Sequence, residues 1–226
     1  MARKILFLDF GGCIDAPGIH PRSVYWNSFS SFYFSRGVDR EAFQEAYSLA
    51  DKQMMASGEA TRLGLKEFNR HNIRLIDQNL NSTKSGIGEL EALGDQMTLQ
   101  ISAWIKESRI HLQEIRKKTE MGVISNFTGN LSVILREFDL LPLFSSVTES
   151  FHAGVSKPDP AIFLSALKKH GLAPEQAAYV GDNLKNDINP ARKMGFYTIH
   201  FLAKEDKQSD VADASIYSLG ELSEFL

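Results

Sequence analysis

Five side chains have the types and spacing to do chemistry on an anion: Asp9, Ser125, Lys157, Asp182 and Asp187. Most of them close a short apolar run. The first run is Lys4-Ile5-Leu6-Phe7-Leu8-Asp9, ahead of Phe10-Gly11-Gly12-Cys13. The second is Gly122-Val123-Ile124-Ser125-Asn126, and the last is Ala177-Ala178-Tyr179-Val180-Gly181-Asp182-Asn183, with Asn186-Asp187 beyond it. Between them Gly154-Val155-Ser156-Lys157-Pro158-Asp159-Pro160 sets a lysine just ahead of Pro and Asp helix-entry signals.

Short apolar runs bounded by glycine read as strands buried on both faces of a parallel sheet. Open sheets of that kind bind ligands at the carboxyl ends of their strands, where a carboxylate is costly to bury without a metal or a donor. In a parallel sheet all five groups fall on one edge. Clustered carboxylates repel one another unless a hard cation joins them, and an all-oxygen set suits Mg²⁺. The ammonium and the hydroxyl then suit the oxygens of a phosphate. Each residue also has an ordinary structural use, Asp as a turn former above all; the order and the shared edge carry the chemical reading. Asn126 and Asn183 beside the motifs fit either ligand orientation or turn formation. Thr128, Gly129 and Asn130 open the helix after Ser125, where backbone N–H groups could hold a phosphate oxygen.

The elements that must position these groups alternate strand and helix, predicting a doubly wound parallel sheet of the α/β class. After the first strand, however, the next does not begin until near Met121, far longer than a crossover needs. The intervening stretch has helical periodicity over residues 23–36, 40–57, 65–80 and 88–105, with a further helix expected over 108–119. The expected division is therefore residues 1–15 and 108–226 as a Rossmann-like core, with 16–107 as a helical insertion. The aromatic cluster Tyr25, Trp26, Phe29, Phe32, Tyr33 and Phe34 fits either packing within the insertion or a substrate pocket.

On these four motifs, in this order, the chain resembles the haloacid dehalogenase-like hydrolase superfamily, and the resemblance spans its whole length. It implies Asp9 as nucleophile, Ser125 as a phosphate-binding residue, and Lys157 as the group that steadies nucleophile and phosphoryl; Asn126, beside Ser125, is a further substrate-binding candidate by position. It implies Mg²⁺ held by Asp9, the backbone carbonyl of Gly11 and Asp182, with Asp187 supporting the metal directly or through water. The helical insertion resembles the family's cap. Together these imply a phosphatase that acts on a small phosphorylated metabolite through an aspartyl-phosphate.

One position departs from the pattern. Family phosphatases carry a second aspartate two residues after the nucleophile, which protonates the leaving oxygen and then activates water; here it is Gly11. General acid–base help is worth roughly 10²–10⁴ in rate, or about 3–5 kcal/mol of barrier. Three readings follow. A substitute acid, with Asp15, His20 or His152 nearest in sequence, keeps phosphatase chemistry. A changed chemistry would resemble relatives that replace this aspartate, by a bulkier residue in dehalogenases or by alanine in phosphonate-cleaving enzymes. Asp182 argues against the metal-free dehalogenases, and a phosphonate-cleaving enzyme needs a desolvated cap lysine, for which Lys52 and Lys66 are the candidates. The third reading is a regulatory module that binds metal and phosphate without turnover.

Composition narrows the field. The 226 residues suit one or two domains, and a 43% hydrophobic content can supply a core. A net charge of −3 with no basic patch gives no reason to expect nucleic acid. The lone Cys13 excludes an internal disulfide and reads as a small packing residue. No run is long enough for a signal peptide or membrane span, so the expectation is a cytoplasmic protein without a membrane partner. Oligomeric state is not legible.

Overall fold

The structure is a computed structural model that describes residues 3–80, 85–208 and 210–225. Its centre is a six-stranded, wholly parallel sheet: β1 (Ile5–Leu8), β2 (Glu120–Ser125), β3 (Ser146–Glu149), β4 (Ala177–Gly181), β5 (Tyr197–Phe201) and β6 (Ala214–Ile216). The strands lie in the order β3-β2-β1-β4-β5-β6, as the strand–helix alternation predicts. Chain direction across the sheet reverses between β1 and β4, so a crevice opens at the carboxyl ends of those two strands. Leu8 pairs with Val123 on one side and Val180 on the other, which sets Asp9 at that crevice.

The runs are apolar throughout because both faces are covered. Leu6, Leu8, Val123 and Val180 pack with Leu112, Ile115 and Ile134 on one face. Ile5, Phe7, Ile124 and Tyr179 pack with Ile162, Phe163 and Ala166 on the other.

Four helices fill the stretch between β1 and β2: α1 (Pro21–Phe34), α2 (Arg40–Ser57), α3 (Leu65–Leu80) and α4 (Ile87–Arg116). Asp39 caps α2 by accepting from the Ala42 N–H, and Gly58 ends it in the left-handed conformation. The expected interruption near residue 106 is absent, and α4 runs unbroken for 30 residues. Between Ile105 and Ser108 stand only Lys106 and Glu107, good helix formers with no Gly or Pro to break the run. The boundary expected between residues 107 and 108 thus falls inside one helix. Its first half packs on α3, where Arg70 forks onto Asp95 at 2.7 and 2.8 Å. Its second half buries Leu112 and Ile115 against the sheet.

The remaining helices are α5 (Leu131–Glu137), α6 (Ser150–Ala153), α7 (Pro160–His170) and α8 (Asn189–Met194). The aromatic cluster is mainly packing: Trp26, Phe29 and Tyr33 are buried, and the Trp26 and Tyr33 rings pack at a tilt against Phe43. No helix among the described residues is long and apolar enough to cross a membrane.

Gly122 tests the tightness of the sheet. A methyl group there would stand 2.6 Å from the Phe7 ring and 2.9 Å from the Ser146 hydroxyl. Gly122→Ala should cost about 1–3 kcal/mol of stability through overpacking, read as a lower urea midpoint at unchanged slope.

Candidate functional site

The crevice is organised by one buried ammonium. Lys157 leaves the loop after α6 and lies between two carboxylates, with Nζ 2.8 Å from Asp9 Oδ2 and 2.6 Å from Asp187 Oδ1. Nζ also donates to the Tyr179 hydroxyl at 3.1 Å. That hydroxyl has two acceptors in reach, the Ile124 carbonyl at 3.1 Å and Asp187 Oδ1 at 3.0 Å. Asn126 fixes the lysine's backbone from both sides, accepting from its N–H at 2.8 Å and donating to its carbonyl at 3.0 Å.

The acids come from β1 and β4. Asp9 Oδ1 accepts from the Phe10 N–H at 2.8 Å, and buried Ser125 lies beside its carboxylate and favours its charged form. Asp187 is delivered by a single π turn, Leu184–Ile188. The Asn183 side chain opens that turn by accepting from Lys185 and Asn186 N–H groups at 3.0 Å, so Asn183 acts here as a turn former. The Asn183 N–H donates to Asp187 Oδ2 at 3.1 Å. The Asp182 carboxylate accepts no hydrogen bond among the described residues, while its backbone carbonyl lies 3.0 Å from His200 Nε2. Two glycines permit this closeness: a side chain at Gly181 would overlap Asp187, and one at Gly12, where φ is +78°, would overlap Asp182.

Oxygens of Asp9, Asp182 and Asp187 all lie within 4.8 Å of one another. Burial pushes the Asp9 carboxyl up to about 6, against the pull of Lys157 and with the push of Asp187. Burial, then Asp187 and Asp9, drive Asp182 well above the usual carboxylate range. Burial opposes the Lys157 charge, but Asp187 and Asp9 outweigh it and hold its pKa above the ordinary lysine value. One ammonium therefore faces three acids. That imbalance, the donorless Asp182 carboxylate and the all-oxygen donor set fit a hard divalent cation.

A cavity of about 690 Å³ joins these groups to the helical insertion; Gly11, Asp15 and His20 line it, as do Arg22, Asp51 and Phe68. Asp15 is buried, accepts from the Gly12 N–H at 2.7 Å, and is pushed up to about 7 by burial. His20 accepts from the Arg22 N–H at 3.2 Å, and burial followed by Arg22 lowers it to about 4. His152 is exposed and lies outside the cavity, beside the Gly129 carbonyl. Cys13 is buried, and burial drives its thiol up and away from reactivity. Gly11 faces the Pro21 ring, whose Cγ would stand 3.1 Å from an added Cβ.

Lys52 lines the cavity but is exposed, and Lys66 is exposed, 3.6 Å from Asp95; neither is desolvated. Sequence reasoning missed Tyr179, which reads as one more apolar strand residue. It also missed Glu149, which is buried behind the Ser125 loop and accepts from the Gly129 and Leu131 N–H groups.

A family model described as haloacid dehalogenase-like hydrolase matches residues 60–201, more than half of the chain. Haloacid dehalogenase-like hydrolase domain-containing protein 3 of Danio rerio is 38% identical over 94 residues, 42% of this chain and 38% of that protein. The glyceraldehyde 3-phosphate phosphatase of Methanocaldococcus jannaschii is 34% identical over 85 residues, 38% of this chain and 37% of that protein. The matches thus span under two-fifths of either relative. Among solved structures, the HAD-hydrolase YfnB of Bacillus subtilis bound to magnesium superposes with a TM-score of 0.61 at 14% identity, covering 100% of this chain and 99% of that one. That likeness shows the fold.

Asp51 gives the pH dependence a sign. Burial raises its carboxyl from 3.8 to about 7, with Arg22 pulling the other way. The folded state thus holds this proton where the unfolded state has lost it, so its stabilising contribution is full below 3.8 and is lost as pH rises toward 7. Without added metal, the melting temperature should fall from pH 5 to pH 7.5, and Asp51→Asn should flatten that fall.

Proposed function

The chain belongs to the haloacid dehalogenase-like hydrolase family, and from that premise we propose that it is a Mg²⁺-dependent phosphatase of a small phosphorylated metabolite. The observation that carries the reading is Asp9 held between the Lys157 ammonium and the acid cluster in the cavity beneath the helical insertion. The relative named as a phosphatase supports it.

In this reading Asp9 attacks phosphorus and the leaving oxygen departs with a proton, giving an aspartyl-phosphate that water then cleaves. Ser125 and Lys157 hold the phosphoryl oxygens, with Asn126 keeping the lysine loop in place. Asp9, the Gly11 carbonyl and Asp182 would hold Mg²⁺. Asp187, whose oxygens already accept from Lys157 and the Asn183 N–H, would support it through water. When bound, the ion supplies charge neutralisation at the phosphoryl group. The helical insertion serves as the cap that excludes bulk water and large substrates.

Of the three substitute acids, Asp15 suits the role left empty by Gly11. It combines a place in the cavity wall with a proton retained near neutrality, whereas His20 is neutral there and His152 lies outside. A phosphonate-cleaving reading lacks its desolvated lysine, since Lys52 is exposed.

Purified protein with Mg²⁺ should release phosphate from members of an ester and acyl-phosphate panel, with acyl phosphates turned over fastest because they need least protonation. Asp9→Asn should abolish release. Asp15→Asn should lower kcat by about 10²-fold or more on alkyl esters and much less on acyl phosphates. Release from no panel member would replace this reading by the binding-module one. Gly11→Asp should raise the rate more in combination with Pro21→Ala than alone, because the proline ring occupies the space the carboxylate needs.

A further inference from the structure

The wall of the cavity opposite the strand ends carries chemistry that phosphoryl transfer does not use. Arg22, in the first turn of α1, lines it half-buried, and among the described residues its guanidinium has no hydrogen-bond or ion-pair partner. Asp51 of α2 lines the same wall, likewise without a donor, and no ion pair joins the two. The helical insertion also lines the cavity with Tyr25, Tyr47, Met55 and Leu65, and with polar Ser48, Asn69 and the exposed Lys52.

A guanidinium cannot shed its charge, and its five N–H groups include no acceptor. Half-buried in the cavity wall, with only the longer-range pull of Asp51 and no hydrogen bond or ion pair among the described residues, it leaves its donors unused. The acids at the strand ends are balanced by Lys157 and the proposed divalent ion, so they do not meet this need. A neutral polyol would be served by acceptors or amides, which Arg22 does not offer. The planar fork matches a carboxylate or phosphate.

On the proposed phosphatase reading, we infer that Arg22 reads a second anionic group on the substrate, which makes the substrate a phosphorylated organic acid or a bisphosphate. Asp51 accepts from a hydroxyl beside that group. Tyr25, Tyr47 and Leu65 enclose the short carbon chain between the two anions, in a cavity of about 690 Å³ that suits a small metabolite.

The test is calorimetric binding to the protein in Mg²⁺, which needs no turnover. The probes are ω-carboxyalkylphosphonates of increasing chain length, set against alkylphosphonates of the same length, with α,ω-bisphosphonates as a third arm. At the best length the wild type should bind the carboxylated or bisphosphonate probe at least about tenfold more tightly than the alkyl one, as a charge-assisted hydrogen bond warrants. Arg22→Met should bring that ratio to about one, and Arg22→Lys should restore part of it. Lys66→Met, on the exposed face of α3, should keep the wild-type ratio. The bisphosphonate arm tells a carboxylate from a second phosphate. A ratio near one in the wild type at every length, or an Arg22→Met variant that weakens all three series equally, overturns the inference and leaves the phosphatase reading standing. Failure of every probe to bind in Mg²⁺ overturns that reading itself.

Discussion

The Lys157 ammonium is the constraint on which the crevice depends. Asp9 and Asp187 come from different strands, and both are buried. Two carboxylates so placed repel each other, and the ammonium between them turns that repulsion into a pair of contacts at 2.8 and 2.6 Å. Removing one partner from such a buried set leaves an uncompensated charge, at a typical cost of about 3–5 kcal/mol. Tyr179 and Asn126 hold the lysine from opposite ends, one at its nitrogen and one at its backbone. Even so the charges do not close, and the Asp182 carboxylate stands without a donor. The residual demand for positive charge is what makes a divalent ion the natural complement of this site.

The helical insertion is tied to the sheet by continuity as well as by contact. α4 packs on α3 at one end and on the sheet at the other, and the apolar core runs from Phe43 and Ile73 through Leu112 to Val123 without a break. The cavity wall that carries Arg22 and Asp51 is thereby held opposite the strand ends. If the insertion is a cap, as proposed, chemistry and selectivity reside on opposite walls of one cavity.

The centre of the sheet was legible in the sequence because β1, β2 and β4 are buried on both faces, and each of their apolar runs stops on a polar residue. Asp9, Ser125 and Asp182 therefore declared themselves by contrast with what precedes them. Lys157 and Asp187 were legible through their motifs. Tyr179 was not: its hydroxyl reaches Lys157 and Asp187 from within an apolar strand, and strand patterning does not report where one phenol oxygen points. The continuity of α4 was missed because its buried face shifts from α3 to the sheet, which breaks the apolar stripe without breaking the helix. Arg22 and Asp51 look like ordinary helix-surface charges until α1 and α2 are folded over the crevice. The Pro21 ring against Gly11 is likewise a tertiary fact.

Gly11 sets the chemical question. In the proposed mechanism Asp15 serves departure of the leaving group only, so the lost aspartate still slows resolution of the covalent intermediate, while attack by Asp9 does not depend on it. The most direct measurement is the intact mass of the protein after mixing with acetyl phosphate and Mg²⁺. The account predicts a slowly decaying adduct of one phosphoryl group that Mg²⁺ chelation prevents and that Asp9→Asn does not form. An adduct that persists in Asp9→Asn, or acetyl phosphate consumed with no phosphoryl transfer to the wild-type protein, would contradict it.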